Sequence, residues 1–230
     1  MKIALFDIDG TLVWTHGAGR RAMQRALAAV VGQSGPQDHR YDGKTDKQIV
    51  REAMRTDGFT DADIDARMDV VLARYLAELS AELDAADHGA ELLPGVGEVL
   101  DVIEARDDVV LGLLTGNLLA GAERKLLAVG IDPARFVVGA FGSDHEDRPE
   151  LPGIARERAS ALLGRQVRGE ACVIIGDTPS DVACARPIGA RTIAVATGSY
   201  DVRQLTECAP HAVFPDLSDT DAVLRAIVDA

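Results

Sequence analysis

A chain of 230 residues, 47% hydrophobic and 27% charged, carries enough apolar material for one large core, or one core with a smaller insertion, and too much for disorder over most of its length. A formal net charge of −13 with no offsetting basic stretch excludes non-specific attraction to nucleic acid or to an anionic membrane as the basis of its role. The three cysteines lack metal-like spacing and read as reduced thiols. No apolar run approaches the ~20 residues of a membrane span, and MKIALFDID lacks the apolar stretch of a secretory signal, so the expectation is a cytoplasmic protein.

In chain order, the apolar run KIALF (2–6) predicts a buried strand and runs directly into Asp7, Ile8, Asp9 and Gly10. Helical patterning follows over 18–31, over 45–58, where a threonine is placed to cap, and over 60–83, where Ile64, Met68, Val71, Leu72, Tyr75, Leu76 and Leu79 recur at helical spacing. These segments predict a small helical bundle spanning 16–92, inserted into a core made of 1–15 and 93–230. Glycine and proline put its hinges at Val13 to Gly17 and Leu92 to Gly95. Beyond it, near-continuous apolar runs at 109–114, 136–141, 171–176, 192–196 and 212–214 alternate with helix-like stretches at 95–106, 118–130, 152–164, 180–187, 202–208 and 219–229. Such runs belong to strands buried on both faces, and the alternation predicts an α/β fold with a doubly wound parallel sheet.

In such a sheet ligands bind beyond the carboxyl ends of the strands. Asp7 and Asp9 follow the first strand, Thr115 the run at 109–114, and Asp177 the run at 171–176, while GDTPSD puts Asp181 four residues further on at the start of a helix. Carboxylates brought together repel unless a cation compensates them, and an all-oxygen set without His or Cys suits Mg²⁺ better than zinc. Because Mg²⁺ usually keeps waters and shares its shell with substrate phosphate, the pattern points toward phosphate chemistry.

DIDGTL, LLTGN and GDTPSD, in that order and at strand ends, resemble the motifs of the haloacid-dehalogenase-like (HAD) hydrolase superfamily, and the resemblance covers essentially the whole chain. It implies a Rossmann-like core, a helical cap inserted between the first two motifs, and phosphoryl transfer through an aspartyl-phosphate. Carried over, Asp7 is the nucleophile and Asp9 the general acid and then base, with its backbone carbonyl on the metal. Thr115, with backbone groups of Gly10, Gly116 and Asn117, binds the phosphoryl oxygens, and Asp177 and Asp181 complete the metal site. Those roles imply that a metal-bound Asp7 stays ionised while Asp9 titrates higher.

The family's basic residue, usually lysine, falls on Arg148 in HEDRPEL, with Lys125 a weaker substitute on a helix. Thr115 also reads as a helix N-cap. The stretch DGKTDKQI (42–49) resembles the cap of phosphoglycolate-phosphatase-like members and makes Lys44 a candidate contact for an anionic substrate. His16, Arg20 and Arg21 stand near the hinge, and Trp14 is expected to pack the cap on the core. An aspartate two places after the nucleophile favours phosphate-ester hydrolysis or mutase chemistry over dehalogenation. The expected function is a Mg²⁺-dependent phosphatase acting on a small phosphorylated metabolite, phosphoglycolate first among them, as a monomer or homodimer. The alternatives are a sugar phosphomutase on the same fold and a catalytically silent binding module.

Overall fold

A computed structural model describes residues 1–229. Its elements in chain order are β1 (Lys2–Phe6), β2 (Val13–Trp14), α1 (Ala18–Val31), α2 (Asp46–Thr56), α3 (Asp61–Asp65), α4 (Met68–Asp84), β3 (Glu91–Leu92), α5 (Val96–Glu104), β4 (Val109–Thr115), α6 (Leu119–Ala128), β5 (Val138–Phe141), α7 (Leu151–Leu163), β6 (Cys172–Gly176), α8 (Pro179–Cys184), β7 (Arg191–Val195), α9 (Val202–Glu207), β8 (Ala212–Phe214) and α10 (Thr220–Asp229).

Six strands form one parallel sheet in the order β5-β4-β1-β6-β7-β8. The chain-first strand is therefore interior: Phe6 lies between Leu113 of β4 and Ile175 of β6. That register brings the carboxyl ends of β1, β4 and β6 side by side. Alternate side chains of β1 enter different cores, Ala4 and Phe6 packing with Val99, Leu100 and Ile227 on one face, Ile3 and Leu5 with Leu151, Ala155 and Ala159 on the other. A strand buried on both faces must be apolar at every position, which is why KIALF does not alternate.

Helices α1 to α4 enclose a separate core that includes Met23, Leu27, Ile49, Met54, Tyr75 and Leu79, joined from the sheet side by Leu118. The expected single helix over 60–83 is instead two. Thr60 and Asp63 form a capping box that starts α3, and after it the Arg67 guanidinium turns back onto the Asp63 carbonyl (2.9 Å), so α4 begins afresh at Met68. The strand expected from residue 136 starts at Val138, because a 3₁₀ turn at Pro133–Arg135 holds the Phe136 amide. The two predicted hinges pair with each other: β2 and β3 form an antiparallel ribbon, Val13 opposite Leu92 and Trp14 opposite Glu91.

Candidate active site

Asp7 continues β1 by one residue, its amide bonded to the Ile175 carbonyl (2.9 Å), and its Oδ1 accepts the Ile8 amide (2.8 Å). The chain then turns sharply at Gly10, whose φ of 76° and whose contact with the Asp177 carboxylate both exclude a side chain. Asp177 leaves β6 and accepts the Thr11 hydroxyl on Oδ1 (3.1 Å). Thr178 and Asp181 form the capping box of α8, with Asp181 Oδ2 taking the Thr178 amide (2.9 Å) and hydroxyl (2.6 Å).

Ligand oxygens of Asp7, Asp177 and Asp181 lie within 4.8 Å of one another, and all three residues are buried. Arg148, itself buried on a 3₁₀ turn ahead of α7, donates through Nη2 to Asp7 Oδ2 (3.0 Å) and to Asp181 Oδ1. One guanidinium does not balance three carboxylates. Burial pushes Asp7 up to about 6, Arg148 pulls against it, and Asp181 pushes it further up; burial together with Asp181 and Asp7 holds Asp177 well above the usual range. The protein's own charges leave Asp7 raised, and the ionised Asp7 expected of a metal-bound site calls for an added cation. Three buried oxygen donors of one sign fit a hard divalent ion. Asp181 accepts three protein donors, from Arg148 and from the Thr178 amide and hydroxyl; Asp7 accepts one on each oxygen, and Asp177 accepts the Thr11 hydroxyl.

Asp9 turns away from this cluster. Its oxygens accept from Lys125 Nζ (2.8 and 2.6 Å) and from Asn117 Nδ2 (2.7 Å), while Lys125 also donates to Asn117 Oδ1 (2.6 Å) and Asn117 to Thr115 Oγ1 (2.8 Å). The two basic residues that the sequence set against each other therefore serve different carboxylates. Lys125 is buried at Asp9.

Thr115 does not cap α6. That helix has no side-chain cap from its own N-cap residue, and the Leu118 amide donates instead to Asp46 Oδ2 (2.8 Å), a residue of α2 that the sequence reading passed over. Gly116 has no room for a Cβ because the Lys44 carbonyl lies against it. A cavity of about 400 Å³ opens between the sheet end and the helical unit, lined by Asp7, Asp9, Thr115, Gly116, Asn117, Lys125, Arg148 and Asp177 below and by Arg20, Tyr41, Lys44 and Tyr75 above. Arg20 stacks 4.1 Å over the Tyr41 ring and donates to the His39 carbonyl (2.7 Å). Lys44 pairs with Glu52 (2.5 Å), Arg21 with Glu82 (2.6 Å) and exposed His16 with Glu91 (3.1 Å); Trp14 is half-buried, edge-on to His16.

A HAD-hydrolase-like family model matches residues 152–220, the segment that holds Asp177 and Asp181. Solved structures match over nearly the whole length: a hydrolase from Pseudomonas syringae (21% identity, 99% of each chain covered, TM-score 0.75) and CbbY from Rhodobacter sphaeroides in complex with phosphate (21%, 95% of this chain and 96% of that one, 0.72). The chain has the HAD-like hydrolase fold. A predicted phosphoglycolate phosphatase from Haemophilus somnus also shares this HAD-like architecture (20% identity, 97% of this chain and 98% of that one, TM-score 0.71). No curated protein sequence matches.

Proposed function

We propose that this HAD-like chain is a Mg²⁺-dependent phosphatase that hydrolyses a small phosphorylated metabolite, phosphoglycolate-like, through an aspartyl-phosphate on Asp7. The observation that carries the reading is the buried group of Asp7, Asp177 and Asp181 with Arg148 between two of them, at the mouth of a 400 Å³ cavity. Asp7 and Asp177, with the backbone carbonyl of Asp9 and with Asp181 beside them, would hold the ion, which when bound neutralises phosphoryl oxygens and the crowded carboxylates. An Asp7 carboxylate oxygen attacks phosphorus and the ester P–O bond breaks; the Asp9 carboxyl gives its proton to the leaving alkoxide. The Asp9 carboxylate then takes a proton from water, whose oxygen attacks the phosphoryl group and releases inorganic phosphate and Asp7. Thr115, Asn117 and the backbone of Gly10 and Gly116 face the transferred group, and Arg148 holds Asp7 in place.

The cavity suits a metabolite better than a macromolecule, and the net charge of −13 disfavours nucleic acid. No helix among the described residues is long and apolar enough to cross a membrane. The test is phosphate release from 2-phosphoglycolate and a panel of phosphometabolites, with and without Mg²⁺. Release that requires Mg²⁺ and is lost in Asp7→Asn supports the reading; release unchanged by that substitution refutes it. Isomerised product without free phosphate, in the presence of a bisphosphate activator, would favour a sugar phosphomutase.

A further inference from the structure

A helix leaves its first amides without intrahelical partners, and these are normally met by a side chain just ahead of it. Helix α6 begins after Leu118, which cannot serve, and has no acidic residue in its first turn. Its amides are met from elsewhere: Leu118 N–H donates to Asp46 Oδ2 (2.8 Å) and Leu119 N–H to Ser143 Oγ (2.8 Å). Asp46 is the first residue of α2, seventy-two positions away, and its own helix does not need it, because Thr45 Oγ1 already accepts the Gln48 amide. Asp46 N–H meanwhile donates to the Gly116 carbonyl (2.8 Å), so one residue grips both ends of the turn Gly116–Leu118. Thr45 Oγ1 adds a bond to the Glu146 carbonyl (2.5 Å), and the missing side chain of Gly116 lets the Lys44 backbone lie directly on it.

We infer that Asp46 is a positioning residue of the helical insertion, whose carboxylate caps α6 across the cleft and so completes the phosphate-facing turn only when the insertion is seated. This rests on the phosphatase reading, because the turn matters through what it carries. Thr115 and Asn117 stand at its start, and two helical turns on stands Lys125, which holds both oxygens of Asp9. A shift of α6 along its axis would move these groups together. Asp46 is not a ligand for the substrate: its carboxylate is buried, bonded to Leu118 and to the Tyr75 hydroxyl, and of the same sign as a phosphate ester. Burial against the sheet end pushes it up to about 6, with Lys125 acting in the opposite direction.

The test uses the full-length chain with Mg²⁺ and a phosphate ester that the wild type hydrolyses. Asp46→Ala removes the acceptor, and misplacement on the ångström scale should lower kcat by about 10- to 100-fold with a smaller change in KM. Asp46→Asn keeps an acceptor oxygen at the same reach and should stay within about 3-fold of wild type, consistent with neutral side chains capping nearly as well as charged ones. Amide exchange supplies a readout independent of turnover: Leu118 should be protected in the wild type and in Asp46→Asn, and exposed in Asp46→Ala. Fast exchange of Leu118 in the wild type, an unchanged kcat in Asp46→Ala, or a loss above about 10-fold in Asp46→Asn would each overturn the assignment. Failure of the wild type to hydrolyse any ester counts against the phosphatase reading alone, and the Leu118 exchange still decides the capping.

Discussion

Replacing Asp7 by asparagine should make the cation-free protein more stable at neutral pH, although it removes the proposed nucleophile. The ordinary aspartate value is 3.8 and burial lifts Asp7 to about 6, so the folded state favours the protonated form. The folded protein then binds a proton that the unfolded chain has released, and stability falls as pH rises between those values. Below about 4 nothing is lost; above about 6 the whole cost of roughly 3 kcal/mol is present. Asparagine keeps the shape and the acceptor for the Ile8 amide, and Arg148 keeps Asp181. Urea unfolding in a chelator should therefore show Asp7→Asn gaining about 1–3 kcal/mol at pH 7, with the gain vanishing toward pH 4. Added Mg²⁺ should then raise the wild type by mass action more than the variant. A variant less stable than wild type at pH 7 in chelator, or a gain independent of pH, would refute the account of Asp7 as a carboxyl strained by burial.

Two further outcomes follow from the same cluster. Arg148→Met leaves Asp7 and Asp181 facing each other without their guanidinium and should cost about 3–5 kcal/mol at pH 7, less at pH 5 where Asp7 takes up a proton, as read by denaturant unfolding. Gly198→Ala drives a Cβ into the Asp177 carboxylate and should weaken Mg²⁺ binding by about 10-fold or more in titration calorimetry, with little change in far-ultraviolet circular dichroism.

Much of the sheet was legible because a strand buried on both faces has no freedom to be polar: β1, β4, β6, β7 and β8 lie within a residue or so of the apolar runs. The acids at the strand ends were legible for the complementary reason, since Asp7 and Asp177 interrupt those runs where a solvated loop residue would have no cause to be so near the core. What stayed hidden was set by partners distant in the chain. The ribbon of β2 and β3 has two residues per strand, too few for any periodicity, and exists only because Val13 and Leu92 meet. The split between α3 and α4 turns on one arginine folding back, with the apolar spacing running on through it. Lys125 shows its partner only once α6 is placed against Asp9, and nothing near Asp46 in the sequence marks a carboxylate that serves another helix.

The ribbon has a consequence for how such proteins diversify. Because Val13 stands opposite Leu92, with the Leu93 amide donating to the Leu12 carbonyl (3.0 Å), the points of exit from and return to the sheet are already a strand's width apart, about 5 Å. Everything between them could be exchanged for a shorter or differently shaped lobe, or for a tight turn, without asking the six-stranded sheet to move. The architecture keeps the acidic strand ends on a fixed chassis and lets the lobe above them be rewritten by grafting at a single seam.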